Sequence, residues 1–555
     1  MNINNISDLS SFDPDVLLAN IPGDHPKAEA ALGVVQAGLK DGQLDIQALT
    51  EIANQALIDA ISPSASLNNS QSTLGNIPSN SSLSLDVDKI NLPAFESNRE
   101  VGETGLPIGL GNLPKSAGSG QSPFYFVQGL NIEADRAILP VDNLAKSGFD
   151  VQQIRKDFPI LQESVNGRPL VWFDNAATTQ KPQVVIDRLV HFYQHENSNI
   201  HRAAHELAAR ATDAYERARE TVRRFINASS VNEIVFVRGT TEAINLVAKT
   251  WATKHLGQGD EILISHLEHH ANIVPWQQLC QHTGAILKVA PVDNDGQVLL
   301  SEYQKLLTSK TKLVAFTQVS NALGTVTPAK QMIEMAHYAG AKVLLDGAQS
   351  VSHMRTDVQS LDADFFVFSG HKVFGPTGIG VLYGKPELLS DMPVWQGGGN
   401  MIQDVTFEKT IYHAAPAKFE AGTGNIADAV GLGAALEYVE SIGIENIAHY
   451  EHEILVYATK ALCAVPGLKL IGTAADKASV LSFVLDGFQS EQVGAALNAE
   501  GIAVRSGHHC AQPILRRFGL ETTVRPSLAF YNTTQEIDLL VSALNKLTSS
   551  SSLKF

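Results

Sequence analysis

Cysteine is scarce in this chain: only Cys280, Cys463 and Cys510 occur in 555 residues, with none of the short paired spacings of a disulfide framework or a zinc site. A reducing, cytoplasmic setting is expected, and no metal centre. No apolar run reaches the length needed to cross a bilayer. The opening residues MNINNISDLSSFDPD lack the basic start, apolar stretch and cleavage site of a secretory signal. Positive charge is also short, with 41 Lys and Arg against 58 Asp and Glu for a net charge of −17. The excess is concentrated, because residues 1–150 hold 7 Lys and Arg against 18 Asp and Glu, leaving −6 for the rest. Such a balance repels phosphate backbones and anionic lipid, so neither nucleic acid nor a membrane surface is an expected partner.

The length allows two or three domains and a large core. Residues 1–142 read as a low-complexity N-terminal extension. Within it, residues 14–61 hold helix-compatible text, PKAEAALGVVQAGLKDG and DIQALTEIANQALIDAI, enough for one or two short helices. Residues 62–122 turn to Ser, Asn, Gly and Pro, a composition that buries too little apolar surface to offset the entropy of ordering, and are expected to be largely disordered. Small apolar clusters there, such as Leu92-Pro93-Ala94-Phe95, fit either a flexible spacer or short motifs that dock on a partner.

Globular text runs from near Asn143 to about Leu547, before a Ser-rich tail at 548–555. Strand-like runs alternate with helical periods: EIVFV then EAINLVAKTWATKHL, DEILIS then WQQLCQHTG, KLVAFTQV then AKQMIEMAHYAG, followed by KVLLD and DFFVFSG. This alternation predicts an α/β domain with a mainly parallel sheet over 143–426, whose opening stretch packs on a smaller α+β C-terminal domain at 427–547.

In a parallel sheet, ligands bind where strand ends lead into helix N-termini. Thr240 and Thr241 follow EIVFV and open a helix, a pattern that serves either a phosphate or an ordinary cap. Asp346 ends KVLLD, and Lys372 follows FFVF. A buried carboxylate keeps a pyridine nitrogen protonated and a nearby lysine can form a Schiff base, although the same two residues could be a structural ion pair. Ser369 and His371 flank the lysine and could reach the phosphate of Thr241. His269, after DEILIS, could lie on an aromatic cofactor and shuttle a proton, or serve structure alone. Asn321 and Gln349 sit just past strand ends, where such residues bind a cofactor ring or merely satisfy backbone groups.

The run Arg505-Ser506-Gly507-His508-His509-Cys510 is the least ordinary in the chain. A thiol beside an arginine and two imidazoles is expected to ionise more readily than a free cysteine. An inert buried role suits Cys280 and Cys463, which sit in apolar helical text, better than Cys510. Arg525 could clamp a carboxylate through its planar fork.

The stretches DNAATTQKP (174–182), RGTTEAINLVA, EHHANIVPW, DGAQ, SGHKVFGPTGIG, GGGNMI and RSGHHCAQP stand in the order found in cysteine desulfurases. From about Asn143 to Leu547 the chain resembles the group II, SufS-type branch of these pyridoxal 5'-phosphate (PLP) enzymes of transferase fold type I. The resemblance implies that Lys372 anchors PLP, Cys510 carries the persulfide, His269 stacks on the ring, Asp346 meets the ring nitrogen and Gln349 the ring hydroxyl. Thr240, Thr241, Ser369 and His371 become phosphate contacts, and Arg525 the contact to the substrate carboxylate. Asn321 is a candidate for both cofactor and substrate, and Arg505, His201 and Arg202 are further substrate candidates.

In that family the site lies at a homodimer interface, where a threonine of the neighbouring subunit, here Thr423, completes the phosphate cup. Two positions depart from the pattern: Gly424 stands where Pro is common and Ala203 where Gly is common. The implied reaction converts L-cysteine to L-alanine and passes sulfur to a SufE- or SufU-like acceptor. Selenocysteine lyase activity is the nearest alternative. Residues 1–142 match nothing in the usual desulfurase and resemble, in architecture and composition, the extensions of desulfurases packaged in encapsulin-type shells. Shell docking inside a nanocompartment follows as an expectation, as does the rival reading of a packaged scaffold whose arm is its main functional element.

Overall fold

The computed structural model describes residues 149–201 and 205–552, together with one pairing of Leu39–Lys40 with Gln43–Leu44. That pairing belongs to a separate unit, Met1–Ser116. Leu39–Lys40 is strand where the text read as helical, in keeping with the Asp-Gly dipeptide that follows it and favours a two-residue turn. The remaining expectations for 14–61 and 62–122 lie outside the described residues, as does Arg202.

Seven strands build the main sheet: β1 Ile234–Val237, β2 Glu261–Ser265, β3 Ile286–Ala290, β4 Thr311–Thr317, β5 Lys342–Asp346, β6 Phe365–Ser369 and β7 Gly380–Gly384. Their order is β1-β7-β6-β5-β4-β2-β3. Strands β2 to β6 run parallel, and β7 is antiparallel to both neighbours. The mainly parallel sheet read from the sequence is therefore present, with one antiparallel strand inserted. Helices cover both faces, so β1, β2 and β6 are buried along their whole length and need apolar residues at every position rather than at alternate ones. The edge strand β3 departs from this and exposes Ile286 and Val289.

Helix α1 (Glu206–Phe225) buries Ala208, Ala211, Tyr215, Ala218, Val222 and Phe225, a stripe at three- and four-residue steps. Helix α2 is Thr240–Val247. Helix α3 (Ile426–Ile442) packs between α1 and the helix Gln183–His195, which explains why apolar residues surround it almost completely. A second sheet of four antiparallel strands, β8 Leu468–Ile471, β9 Ser482–Leu485, β10 Arg505–Gly507 and β11 Thr523–Arg525, has the order β8-β9-β11-β10. The segment preceding the main sheet leans on this later part of the chain: Val171–Trp172 pairs in parallel with Ile502–Ala503, and the Phe149 and Tyr450 rings stack at 4.7 Å. Helix α4 (Thr534–Ser552) continues past Leu547, where the sequence pattern placed the start of the tail.

One buried ion pair ties α1 to the segment before α3. Arg219, 2% exposed, donates to the two Glu420 carboxylate oxygens at 2.7 and 2.9 Å and to the Ile234 carbonyl at 2.8 Å. Glu420 also accepts the Tyr215 hydroxyl at 3.1 Å and the Phe236 N–H at 2.8 Å. Desolvating two charges costs several kcal/mol per ion, which only a fully bonded pair recovers. Arg219→Met is expected to lower the unfolding free energy by about 3–5 kcal/mol in urea titration, because Glu420 stays buried without its cation. The double variant Arg219→Met/Glu420→Gln should lose less, and equal losses would show that the stranded charge is not the cause.

Candidate active site

The carboxyl ends of the parallel strands open on one side of the sheet, and a cavity of about 220 Å³ lies there. Twelve of the sequence-predicted site residues line it: Thr240, Thr241, Ser369 and His371; Lys372, Asp346, Gln349 and His269; and Asn321, Arg505, Arg525 and Cys510. At one end, Thr240 opens α2 and its N–H donates to the Ser369 hydroxyl oxygen at 2.9 Å, with the two hydroxyls also 2.9 Å apart. Helix N-terminal N–H groups and a pair of hydroxyls suit a phosphate. Burial, aided by the charges of Lys372 and Lys181, pushes the His371 imidazole down to about 4.

Farther along the cavity, Asp346 is buried and one carboxylate oxygen accepts the Ala348 N–H at 2.9 Å. Burial pushes its pKa up, against the opposing pull of that hydrogen bond and of Lys372. Burial also pushes Lys372 down to about 8, although Asp346 pulls it back up. A lysine so placed has an appreciable uncharged fraction near neutral pH, as a nucleophilic amine requires. His269 accepts the Ala271 N–H on Nδ1 at 3.0 Å, which leaves its proton on Nε2. Its imidazole is pushed down to about 3, chiefly by burial and then by Lys372, so it stays neutral. Gln349 donates from Nε2 to the Ala176 carbonyl at 2.6 Å.

At the far end, Arg525 is 2% exposed and donates to the Asn321 carbonyl at 2.9 Å and to Asp174 at 3.1 Å. Arg505 lies 4.0 Å from the other Asp174 oxygen. Burial pushes Arg525 down to about 10, with Asp174 opposing. Three buried polar atoms here have no partner among the described residues: Arg525 Nε, Asn321 Oδ1 and His509 Nδ1. All three belong to residues lining the cavity, as expected of a site built for a polar ligand.

Several expectations change at this point. His509 is not a cationic neighbour for the thiol: its Nε2 lies 2.8 Å from the Thr523 hydroxyl, and burial, then Arg525, push it down to about 2. His508 instead accepts the Cys510 N–H on Nδ1 at 3.1 Å. The Asn321 amide donates to the His509 carbonyl at 2.7 Å and so also holds the cysteine loop, while its Oδ1 has no partner among the described residues. Thr423 is exposed and does not line this chain's own cavity, which leaves the expectation that it serves a neighbouring subunit unchanged. His201 is also outside it, with Nε2 3.0 Å from Glu216.

Two site residues were not singled out from the sequence. Asp174 opens the DNAATTQKP motif, but nothing local shows that it meets Arg525. Glu268 precedes His269 and is fully buried, accepting the Asn272 side-chain amide at 2.6 Å and the Ser265 hydroxyl. Burial pushes it up to about 8, against those two bonds and with Asp346 reinforcing the rise. Among the described residues no cluster of His, Cys, Asp and Glu could hold a metal ion. The residues present do fit PLP: a hydroxyl and helix-terminal cup for the phosphate, Asp346 for a protonated ring nitrogen, His269 for the ring and Lys372 for the aldehyde.

Comparison with known proteins agrees with this geometry. Residues 171–540 match the profile of the family described as Aminotransferase class-V. The chain is 74% identical over 404 residues to a cysteine desulfurase of Synechococcus elongatus, covering 73% of this chain and 64% of that relative. The chain thus spans less than two thirds of that relative's length. A cysteine desulfurase of Escherichia coli is 51% identical over 400 residues, covering 72% of this chain and 98% of that protein. A crystal structure of the E. coli cysteine desulfurase CsdA (S-sulfonic acid) superposes with a TM-score of 0.68 at 40% identity, covering 72% of this chain and 99% of that one. The fold is that of the fold type I PLP-dependent transferases.

Glu268 gives the site a pH signature. Its folded pKa of about 8 lies above the ordinary carboxylate value, so its contribution to stability is fully present below about 4.5 and is lost as pH rises through 8. Glu268→Gln keeps the shape without the titration. In urea unfolding of the cofactor-free protein, the parent is expected to lose ground to this variant between about pH 5 and 8, by at most about 1.4 kcal/mol per pH unit, and to level off above that. A stability difference independent of pH would mean that the carboxyl is ionised throughout.

Proposed function

Since the chain belongs to the aminotransferase class-V family, as a member of its cysteine desulfurases, we propose that it is a PLP-dependent cysteine desulfurase of the SufS type, moving sulfur from L-cysteine to Cys510 and releasing L-alanine. The observation that carries this reading is that Lys372 and Cys510 line one cavity together with Asp346, Arg525 and Asn321.

Bound PLP supplies an electron sink for the carbon skeleton of the substrate. Asp346 holds the proton of the ring nitrogen, which keeps that sink effective. Arg525, which lines the cavity, takes the substrate carboxylate. Lys372 Nζ, made partly neutral by burial, accepts the proton from the substrate Cα. The Cys510 thiolate attacks the substrate sulfur; an S–S bond forms, the Cβ–S bond breaks, and its electron pair passes to the carbon framework, which takes up a proton and departs as alanine. His269, with its proton on Nε2, would serve that return.

The SufS-type assignment rests on the motif RSGHHCAQP that carries Cys510. The same reading makes the protein a homodimer, in which the exposed Thr423 serves the phosphate end of the neighbouring subunit, and gives it a SufE- or SufU-like acceptor. It also assigns residues 1–142 to docking on an encapsulin-type shell.

Cys510→Ala is expected to abolish sulfur transfer while leaving the visible absorbance of bound cofactor intact. Lys372→Ala should lose that absorbance. Undiminished desulfuration by Cys510→Ala would overturn the assignment. Turnover on L-cysteine compared with L-selenocysteine separates the desulfurase from a selenocysteine lyase.

A further inference from the structure

Lys372 lies in the turn Gly370–Lys372 at the end of β6, so its direction is set by the peptide plane that joins it to His371. The carbonyl oxygen of that peptide is surrounded. It accepts the Thr178 hydroxyl at 3.0 Å, the Thr179 N–H at 3.0 Å, the Thr179 hydroxyl at 3.2 Å and the Lys181 ammonium at 3.2 Å. A carbonyl has two lone pairs, so four donors on one oxygen form an electropositive cup rather than ordinary pairing. All four come from residues 178–181. The same stretch grips the other side of the lysine, because Thr179 Oγ1 accepts the Phe374 N–H at 2.8 Å. Phe374 is held at φ 63°, in the left-handed region that a bulky side chain avoids, so the turn needs an outside hold.

Lys181 is unusual within this set. Among the described residues its ammonium bonds only carbonyl oxygens, those of Thr179 and His371, and it does not line the cavity. Burial pushes it down to about 8, and no carboxylate among the described residues pulls it back. Its charge is nevertheless felt at His371, on the phosphate side. A buried cation without an anion is costly unless something anionic arrives.

We propose that Lys181, assisted by Thr178 and Thr179, is a positioning residue that fixes the His371–Lys372 peptide and places an uncompensated positive charge behind the phosphate end of the cavity. It aims the lysine and favours a dianionic phosphate without touching either the substrate or the cofactor. The proposal rests on the PLP reading above.

The test uses the full chain, loaded with PLP, in three variants: Lys181→Met, Lys181→Arg and Thr178→Val. Readouts are the dissociation constant for PLP, the pH midpoint of the visible absorbance of the Lys372-linked cofactor, and urea unfolding of the cofactor-free protein. Lys181→Met is expected to weaken PLP binding about tenfold or more and to move the absorbance midpoint, while Lys181→Arg recovers most of both. Thr178→Val should shift both in the same direction by less, and it carries the test alone if neither lysine variant folds. Unchanged PLP affinity and midpoint in Lys181→Met, or in Thr178→Val when that stands alone, would overturn the proposal. So would equal losses in the Met and Arg variants that track a fall in cofactor-free stability, since that is a structural role. A parent chain that takes up no PLP defeats the functional reading itself, whereas a parent that holds PLP but does not desulfurate defeats only the reaction.

Discussion

Removal of water from the carboxyl ends of β5 and β6 is the constraint on which the site depends. In water, Lys372 would be fully charged and Asp346 fully ionised at neutral pH. Here burial acts on both in opposite directions, driving the amine down to about 8 and the carboxyl up, and it does the same to His269 and Glu268. Each group alone would be a loss for the folded chain, because an unpaired buried charge costs more than a hydrogen bond returns. Lys372, Asp346 and His269 share one cavity, so a single ligand carrying a protonated ring nitrogen would compensate them together. The same desolvation that makes these buried groups costly is what leaves the Lys372 amine partly uncharged near neutral pH.

The cysteine loop is held by a different balance. His509 and Cys510 both have positive φ, at 53° and 54°, which costs a non-glycine residue about 1–2 kcal/mol each. Two hydrogen bonds from outside the loop oppose that strain: the Asn321 amide on the His509 carbonyl at 2.7 Å, and the His270 N–H on the Cys510 carbonyl at 2.8 Å. A net hydrogen bond contributes about 1 kcal/mol, so the tethers and the strain are of similar size. The sulfur is therefore placed by the turns after β2 and β4 rather than by its own backbone preference. One tether comes from the residue next to His269, so the Cys510 loop and the His269 turn are held together.

Much of this was legible in the sequence, and the reason is local. Strands covered on both faces need unbroken apolar runs, so Ile234–Val237 and Phe365–Ser369 declare themselves, and the polar residue that ends such a run falls at the ligand edge. Asp346, Lys372 and Thr240 were found in that way. Pairings across the chain leave no local mark. Arg525 meets Asp174 across a sequence separation of 351 residues, and the Asn321 amide meets the His509 carbonyl across 188. The adjacent imidazoles of His508 and His509 suggested a cationic setting for the thiol, because adjacency in sequence says nothing about which ring is buried. Lys181 was hidden for the same reason: its partners are backbone oxygens, which no side-chain pattern reveals.

The antiparallel strand β7 explains how the Thr240 end of the cavity closes. Strand β7 lies between β1 and β6, so the residues at the ends of those two strands start about two strand spacings apart, roughly 10 Å. Yet the hydroxyls of Thr240, just past β1, and Ser369, at the end of β6, stand 2.9 Å apart. The gap closes because β7 begins at Gly380, which pairs with Ser369 on one side and Val237 on the other, and the loops fold over its bare Cα. A Cβ there would stand 2.5 Å from the Gly239 Cα and 2.6 Å from the Phe368 carbonyl oxygen, both backbone atoms that cannot swing aside. The absence of one methyl group thus lets the Thr240 loop and the Ser369 hydroxyl meet, and the inserted strand brings both to the cavity that Lys372 lines.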